Sequence, residues 1–464
     1  MKNITFLILA LAISFTSFSQ EIVGSWQGVL KVQGIQLRLV FNIEKDGDAF
    51  KSTLDSPDQG AKGIPCNETN FADNILSVKI SSIGAGFEGK LENDSIKGTF
   101  TQMGASFPLI LAKTEPEIVK PNRPQEPKPP FPYYSEEVKF VNKKDGNTLA
   151  GTLTLPNQTG KFPVVVLISG SGPQDRNEEL MGHKPFLVIA DFLTRNGIGV
   201  LRYDDRGTAQ STGDFSKATS FDLSNDAEAA VEFLLNRNEV NKKKIGLIGH
   251  SEGGVIAPMV AARNKNVSYI VLLAGTGVRG DKLLLMQQRA IYLASGVPET
   301  AILENQKLNA GMYEKIINST DTIGLRNELV QTLTKSINEN VALKSALSAE
   351  QIDEMTTMTV HQMMSPWMNY FIKHDPYPIL KQVKCPTLAL NGSLDLQVPA
   401  KENLTAIQNA FKESGNKKLS MVELEGLNHL FQESKTGSPS EYGSIEQTFS
   451  PKALDEMLKW LKNR

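Results

Sequence analysis

Apolar and polar residues alternate in short runs from Ile22 to Ala112: Gly28 to Gln33, Ile35 to Ile43, Ile75 to Ile80, Gly86 to Leu91, Ser95 to Thr101 and Phe107 to Leu111. Asp46-Gly47, Gly84 and Asn93-Asp94 punctuate them. A period of two places one side-chain face inward on each run, so residues 20–113 read as a small all-β barrel or sandwich. This module holds no His and its carboxylates fall mostly in turns, so it offers no evident chemistry. Pro116, Pro121, Pro124, Pro127, Pro129, Pro130 and Pro132 follow. Proline cannot donate to a backbone ladder, and residues 114–134 are expected to form a semi-rigid linker.

After Ser135 the period changes. Short Val/Ile/Leu-rich runs (Pro163 to Gly170, Gly197 to Tyr203, Lys244 to Gly249, Ser268 to Gly275, Pro386 to Asn391, Leu419 to Leu424) read as buried strands. Helical patterns lie between several of them: Lys184 to Arg195, Asp222 to Asn236, Gly253 to Arg263 and Ala400 to Phe411. That alternation predicts a mostly parallel, doubly wound α/β sheet, built from residues 135–280 and 381–464. The stretch 281–380 between two consecutive strands is too long for a loop. Its helical patterns, Leu283 to Leu293, Glu304 to Ile317 and Leu325 to Ile337, predict a helical insertion acting as a cap over the sheet.

The 464 residues carry 49 Lys+Arg against 51 Asp+Glu, a formal charge of −2, with an isoelectric point near 6.3. Near-neutrality argues against nucleic acid or an anionic membrane surface as the main partner. Met1-Lys2-Asn3 followed by Ile4 to Phe15 has a basic start and an apolar run too short to span a bilayer. With small residues in Ser17-Phe18-Ser19, residues 1–19 read as a signal peptide cleaved before Gln20, giving a secreted or periplasmic protein; the rival is a retained N-terminal anchor. No later segment is apolar enough to span, and no Cys follows the apolar run for lipid attachment. Cys66 and Cys385 are the two cysteines, which is not the density of a disulfide-stapled fold. Both read as small apolar fillers, with a bridge between them as the alternative.

Lys244 to Gly254 runs from an apolar strand through Gly249-His250-Ser251-Glu252-Gly253 into a helix start. A sharp strand-to-helix turn holds its serine in a strained conformation, and glycine on both flanks lets the chains approach. A serine hydroxyl needs a base, and the base an orienting acid. Of five His, His429 follows the last predicted strand in Glu425-Gly426-Leu427-Asn428-His429 and is the expected base. His250 is expected beneath the turn, His183 precedes a helix, and His361 and His374 lie in the insertion, where either could touch substrate. Asp395 lies just past a buried strand and completes the chain order Ser, Asp, His; Glu425 is the rival acid, and a helix cap is the bland use of Asp395. Two backbone donors are needed for an oxyanion, expected at the N–H of Glu252 and the N–H of Ser171, with Gly172 as alternate.

Tyr203-Asp204-Asp205-Arg206-Gly207 is expected to tie loops together through the Arg fork. Gly275-Thr276-Gly277-Val278-Arg279-Gly280 matches a dinucleotide fingerprint, yet a helical insertion follows it where a second strand should come. Its glycines are expected beside Ser251 and at a hinge into the insertion. No metal and no cofactor are expected: there is neither H-E-x-x-H nor clustered Cys and His.

From about Phe162 onward the chain resembles secreted or periplasmic bacterial α/β-hydrolase carboxylesterases, with relatives in the serine aminopeptidase-like group. The resemblance rests on Ser169 to Arg176, Gly182-His183-Lys184-Pro185-Phe186, Leu201 to Gly207, Gly249 to Gly254, Asn391 to Pro399 and Leu427 to Phe431. It implies hydrolysis of small acyl esters, with Ser251 as nucleophile, Asp395 as acid and His429 as base. The N-terminal module departs from that pattern. Two other readings stay open: a peptidase, aminopeptidase or thioesterase using the same three residues, and a polymer-binding protein whose β-module contacts carbohydrate.

Overall fold

The computed structural model describes residues 22–32, 35–47, 49–57, 61–102, 105–114, 122–340, 344 and 348–464. The expected signal peptide and part of the proline-rich stretch lie outside the described residues. The chain divides into two compact units, one N-terminal and one carrying nearly everything from residue 118 onward.

The N-terminal unit is a single sheet of nine strands: β1 (Gly24–Val32), β2 (Ile35–Asp46), β3 (Ala49–Ser56), β4 (Ala61–Pro65), β5 (Glu68–Ala72), β6 (Ile75–Ile80), β7 (Ala85–Glu92), β8 (Ser95–Gln102) and β9 (Ala105–Thr114). Their order is β4-β3-β2-β1-β9-β8-β7-β6-β5. Strands β3 to β5 were not separated by the alternation alone, because Asp55-Ser56-Pro57 and Asn67-Glu68-Thr69 dilute it with turn-forming polar residues. The sheet curls so that its ends meet: the Cys66 N–H donates to the Ser52 carbonyl at 3.0 Å, and the Ser52 and Thr69 hydroxyls lie 2.7 Å apart. Of the two sequence alternatives, this is the barrel-like one. Alternate side chains fill its interior around Trp26, Phe41, Phe87 and Phe100. Trp26 keeps its indole N–H satisfied by donating to the Ile22 carbonyl at 2.7 Å.

The second unit is built on eight strands: β10 (Tyr134–Val141), β11 (Thr148–Leu155), β12 (Phe162–Ile168), β13 (Gly199–Tyr203), β14 (Val240–His250), β15 (Tyr269–Leu273), β16 (Thr387–Gly392) and β17 (Leu419–Leu424). Their order is β10-β11-β13-β12-β14-β15-β16-β17. The antiparallel pair β10 and β11 extends an otherwise parallel sheet. Odd and even positions of one strand serve different cores: Val164, Val166 and Ile168 pack with helices α2 (Ser220–Leu235), α3 (Gly253–Arg263) and the later helix Ala400–Glu413. Val165 and Leu167 pack on the opposite face with α1 (Pro185–Arg195) and the C-terminal helix Pro451–Leu461. Burial on both faces is why these strands are near-continuous apolar runs.

Chain order reverses beside β12: β13 lies on one side of it and β14 on the other. Loops leaving the carboxyl ends of β12 and β14 therefore diverge and leave a crevice, the place where open α/β sheets bind ligands. Between β15 and β16 stand helices α4 (Gly280–Ala294), α5 (Glu299–Asn318), α6 (Thr322–Glu339), α7 (Ala349–Met363), α8 (Pro366–Lys373) and the short α9 (Tyr377–Leu380), with a core of their own around Ile316, Leu329, Val360 and Ile372.

Residues 122–133 are fastened to the second unit, not suspended as a spacer. The Arg123 guanidinium donates to the carbonyls of Met181, Gly182, Gly443 and Ile445, and Gln125 bonds the backbone of Thr448 and Phe449. Cys66 and Cys385 are both free thiols. Burial pushes both up, Cys385 to about 11, so neither is a ready thiolate.

Candidate active site

Strand β14 delivers Ser251 into a left-handed backbone conformation, φ 52°, and α3 begins two residues later. The turn is tight enough that a Cβ on Gly249 would sit 1.9 Å from the Gly253 carbonyl oxygen, and one on Gly253 would sit 2.1 Å from that of Ile168. Only glycine fits either flank. The Ser251 N–H donates to the Leu273 carbonyl at 2.8 Å, which fixes the strained residue against β15. Gly254 packs on Gly275, so the glycines expected beside Ser251 do lie there, and Gly280 at the start of α4 packs on the Phe371 backbone.

The loop after β16 carries Asp395 and the loop after β17 carries His429, both 4% exposed. One oxygen of Asp395 accepts the N–H groups of Gln397 and Val398, each at 2.8 Å, and the other accepts His429 Nδ1 at 2.8 Å. Because the carboxylate can only accept, Nδ1 carries the hydrogen and Nε2 presents a lone pair. The turn bearing His429 is shaped by Asn428, whose side-chain oxygen accepts the N–H groups of Leu430 and Gln432. Glu425 makes no such contact with His429; Asp395 does.

Gly170, just after β12, lies against the nucleophile: its Cβ position is 3.3 Å from the Ser251 Cβ. Its N–H is consumed by the Glu178 carboxylate at 2.6 Å, which leaves Ser171 and Gly172 as the next N–H groups of that loop. Glu252 is 1% exposed, and its carboxyl accepts the Ser220 hydroxyl at 2.5 Å and the Trp367 indole N–H at 2.8 Å. Burial with no cation beside it raises its pKa.

His250 lies beneath Ser251, 6% exposed, with Nδ1 2.9 Å from Glu178 and Nε2 3.0 Å from the His429 carbonyl oxygen. Glu178 was not singled out by the sequence: it is one acid in a polar loop, and nothing in its spacing signals the tie to His250. His183 is buried between the Thr448 hydroxyl and the Tyr442 carbonyl, with the Gln432 amide nitrogen 3.0 Å from its Nε2. His361 faces Arg326 on the surface of the insertion. His374 stacks on Tyr370 at 5.3 Å and lines a cavity of about 790 Å³ with Thr219, Leu325 and Asn369. Arg206 bridges Asp226 and Asp145, at 2.6 and 2.7 Å, and Arg176 clamps Asp204. The acid-rich segment after β13 thus ties loops together.

The family model of the X-Pro dipeptidyl-peptidases (S15 family) matches residues 145–424, which include Ser251 and Asp395. Esterase EstD of Thermotoga maritima is 26% identical over 339 residues, 71% of this chain and 70% of the esterase. The uncharacterised protein PA2218 of Pseudomonas aeruginosa is 31% identical over 138 residues, 29% of this chain and 35% of its own length. Among solved structures, the Pyrococcus furiosus esterase Pf2001 aligns at a TM-score of 0.43 with 16% identity, over 71% of this chain and 91% of that one. The chain is a serine hydrolase of the α/β-hydrolase class and belongs to the X-Pro dipeptidyl-peptidase (S15) family.

Proposed function

We propose that the chain is a carboxylesterase of small acyl esters working through an acyl-enzyme. The observation that carries this reading is the buried Asp395 to His429 hydrogen bond at 2.8 Å, with the His429 carbonyl held by His250, the neighbour of the strained Ser251. His429 Nε2 takes the Ser251 hydroxyl proton as the oxygen attacks the ester carbonyl, and returns it to the leaving alcohol. Asp395 holds the ring and stabilises the imidazolium that forms. The N–H groups of Glu252 and Ser171 receive the developing oxyanion. Water then attacks the acyl-enzyme by the same proton path. Helices α4 to α9 cap the site, with Trp367 of α8 bonded to Glu252.

A peptidase reading has the family's name behind it, but an enzyme that removes residues from a free amino terminus must hold an ammonium. The carboxyl beside Ser251 that could do so, Glu252, is engaged by Ser220 and Trp367, and burial favours its neutral form. The long match to an esterase supports ester turnover. The test is fluorophosphonate labelling of wild type beside Ser251→Ala, then a panel of p-nitrophenyl esters, acyl thioesters and X-Pro anilides. Labelling that depends on Ser251 with ester turnover dominant is the expected result; anilide turnover exceeding ester turnover would replace the reading with a peptidase.

A further inference from the structure

We propose that Glu178 and His250 form a buried carboxylate–imidazolium pair that positions the two loops around Ser251. This rests on the reading of Ser251, Asp395 and His429 as the reacting groups.

The hydrogen-bond partners fit a charged ring. His250 Nε2 lies 3.0 Å from the His429 carbonyl oxygen, which can only accept, so Nε2 carries a hydrogen. Nδ1 lies 2.9 Å from the same Glu178 oxygen that already accepts the Gly170 N–H at 2.6 Å. With Glu178 a carboxylate, that oxygen can only accept and takes both N–H groups, so both ring nitrogens are donors and the ring is a cation. Its surroundings supply no other compensation. The His250 and Glu178 side chains are 8% and 7% exposed and pack among Ile189, Leu273, Leu430 and Phe449. The remaining titratable groups turned toward His250 are His429, ring centroids 4.9 Å apart, and Asp395, which lies on the Nδ1 side of His429. Burial opposes the cation, yet the Glu178 carboxylate outweighs it and holds His250 above the ordinary imidazole range.

Two consequences follow from that placement. A single carboxylate oxygen anchors the Gly170 loop directly and the His429 loop through His250, so the loops on both sides of Ser251 share one fastening. The His250 Nε2–H also holds the His429 carbonyl oxygen at 3.0 Å, so the placement of the His429 ring depends on the same pair. Both residues are positioning residues: they act through His429 and Gly170 and touch no reacting atom.

Glu178→Gln is the informative variant. Its amide oxygen, in the place of the carboxylate oxygen, can still accept the Gly170 N–H, so the shape persists while the negative charge beside His250 is removed. The kcat for p-nitrophenyl acetate is expected to fall about tenfold, with KM changed by less than about twofold. Glu178→Asp, which keeps the charge, is expected to leave His250 doubly protonated even where its kcat is lower, something a merely structural role would not do. Histidine-selective ¹⁵N NMR of the wild type at alkaline pH reads the pair without any variant of Glu178: His250, assigned by its loss in His250→Gln, is expected to show two protonated nitrogens. A neutral His250 ring, or an unchanged kcat in folded Glu178→Gln, overturns the inference while fluorophosphonate labelling of Ser251 stands. Absence of Ser251-dependent labelling in the wild type overturns the reading beneath it and the inference together.

Discussion

In the nine-stranded module the buried polar side chains among the described residues are Ser52 and Ser56, whereas the hydrolase unit buries Glu178, Arg202, Asp204, Asp205, Arg206, Asp226, Glu252 and Asp395. Burying an ion without a partner costs several kcal/mol, so an all-apolar interior is the cheaper solution. The module takes it, with phenylalanines at its centre. The hydrolase unit instead partners its acids: Arg176 with Asp204, Arg206 with Asp226 and Asp145, and backbone N–H groups with Asp395. Arg176, Asp204, Arg206 and Asp395 sit in loops leaving strands of the parallel sheet, where chemistry is placed, and the difference separates a unit shaped for packing from one shaped for a reaction.

The strongest test of that separation removes chemistry without touching packing. Ser251→Ala is expected to lower kcat by about 10⁴-fold or more, because the remaining oxyanion donors supply only residual catalysis. Its urea midpoint is expected to match wild type, since the hydroxyl carries no packing. Ester turnover near the wild-type rate in this variant would mean the reaction occurs elsewhere.

Next in size is a change that strikes packing and chemistry together. Gly253→Ala adds a Cβ 2.1 Å from the Ile168 carbonyl oxygen, an approach no side chain tolerates. The turn must open, which displaces Ser251 from its donors. We expect a loss of about 10²-fold or more in kcat/KM together with about 2–3 kcal/mol of stability. Urea unfolding and ester kinetics on one preparation would check both; an effect on stability alone would show that Ser251 keeps its place when the turn shifts.

How much of this was legible depended on whether the signal was local. The strand from Lys244 and the glycines flanking Ser251 were readable because the tight turn constrains neighbouring residues. Asp395 and His429 were readable through chain order, and the structure joins them by one hydrogen bond. Glu178 was not, because its partners Gly170 and His250 sit 8 and 72 positions away and an acid in a polar loop resembles any other. Strands β10 and β11 were missed for a related reason. Tyr134 to Val141 reads Tyr-Ser-Glu-Glu-Val-Lys-Phe-Val, an edge strand with Glu and Lys on its outward positions. Such charge suits an edge that must not recruit another chain, and it hides the strand. The helix Pro451–Leu461 did announce itself through Ser450-Pro451, a capping serine followed by proline at the first turn, and went unread among the terminal residues.

A change confined to the module should do the reverse of Ser251→Ala. Phe41 is 0% exposed, its ring 5.4 Å from that of Phe87. Truncating it in Phe41→Ala leaves a cavity expected to cost about 3–4 kcal/mol of stability, with kcat and KM for p-nitrophenyl acetate within about twofold of wild type. A fall in kcat at a temperature where the variant is folded would show that the module's packing reaches the reacting groups.

The smallest effect separates the units by pH. Burial pulls His183 down to about 4 from an ordinary value of 6.5, while the unfolded chain keeps the ordinary value. As pH falls below 6.5 the unfolded chain binds a proton that the folded ring refuses, so stability fully present above 6.5 is lost progressively and stops falling below about 4. The module contains no histidine and contributes nothing of this kind in that window. His183→Gln, which can still bond the Thr448 hydroxyl and the Tyr442 carbonyl, is expected to flatten the acid loss of the urea midpoint relative to wild type. Parallel slopes for the two proteins across that range would mean that the folded His183 takes up its proton as readily as the unfolded one, and that its burial carries no linkage to folding.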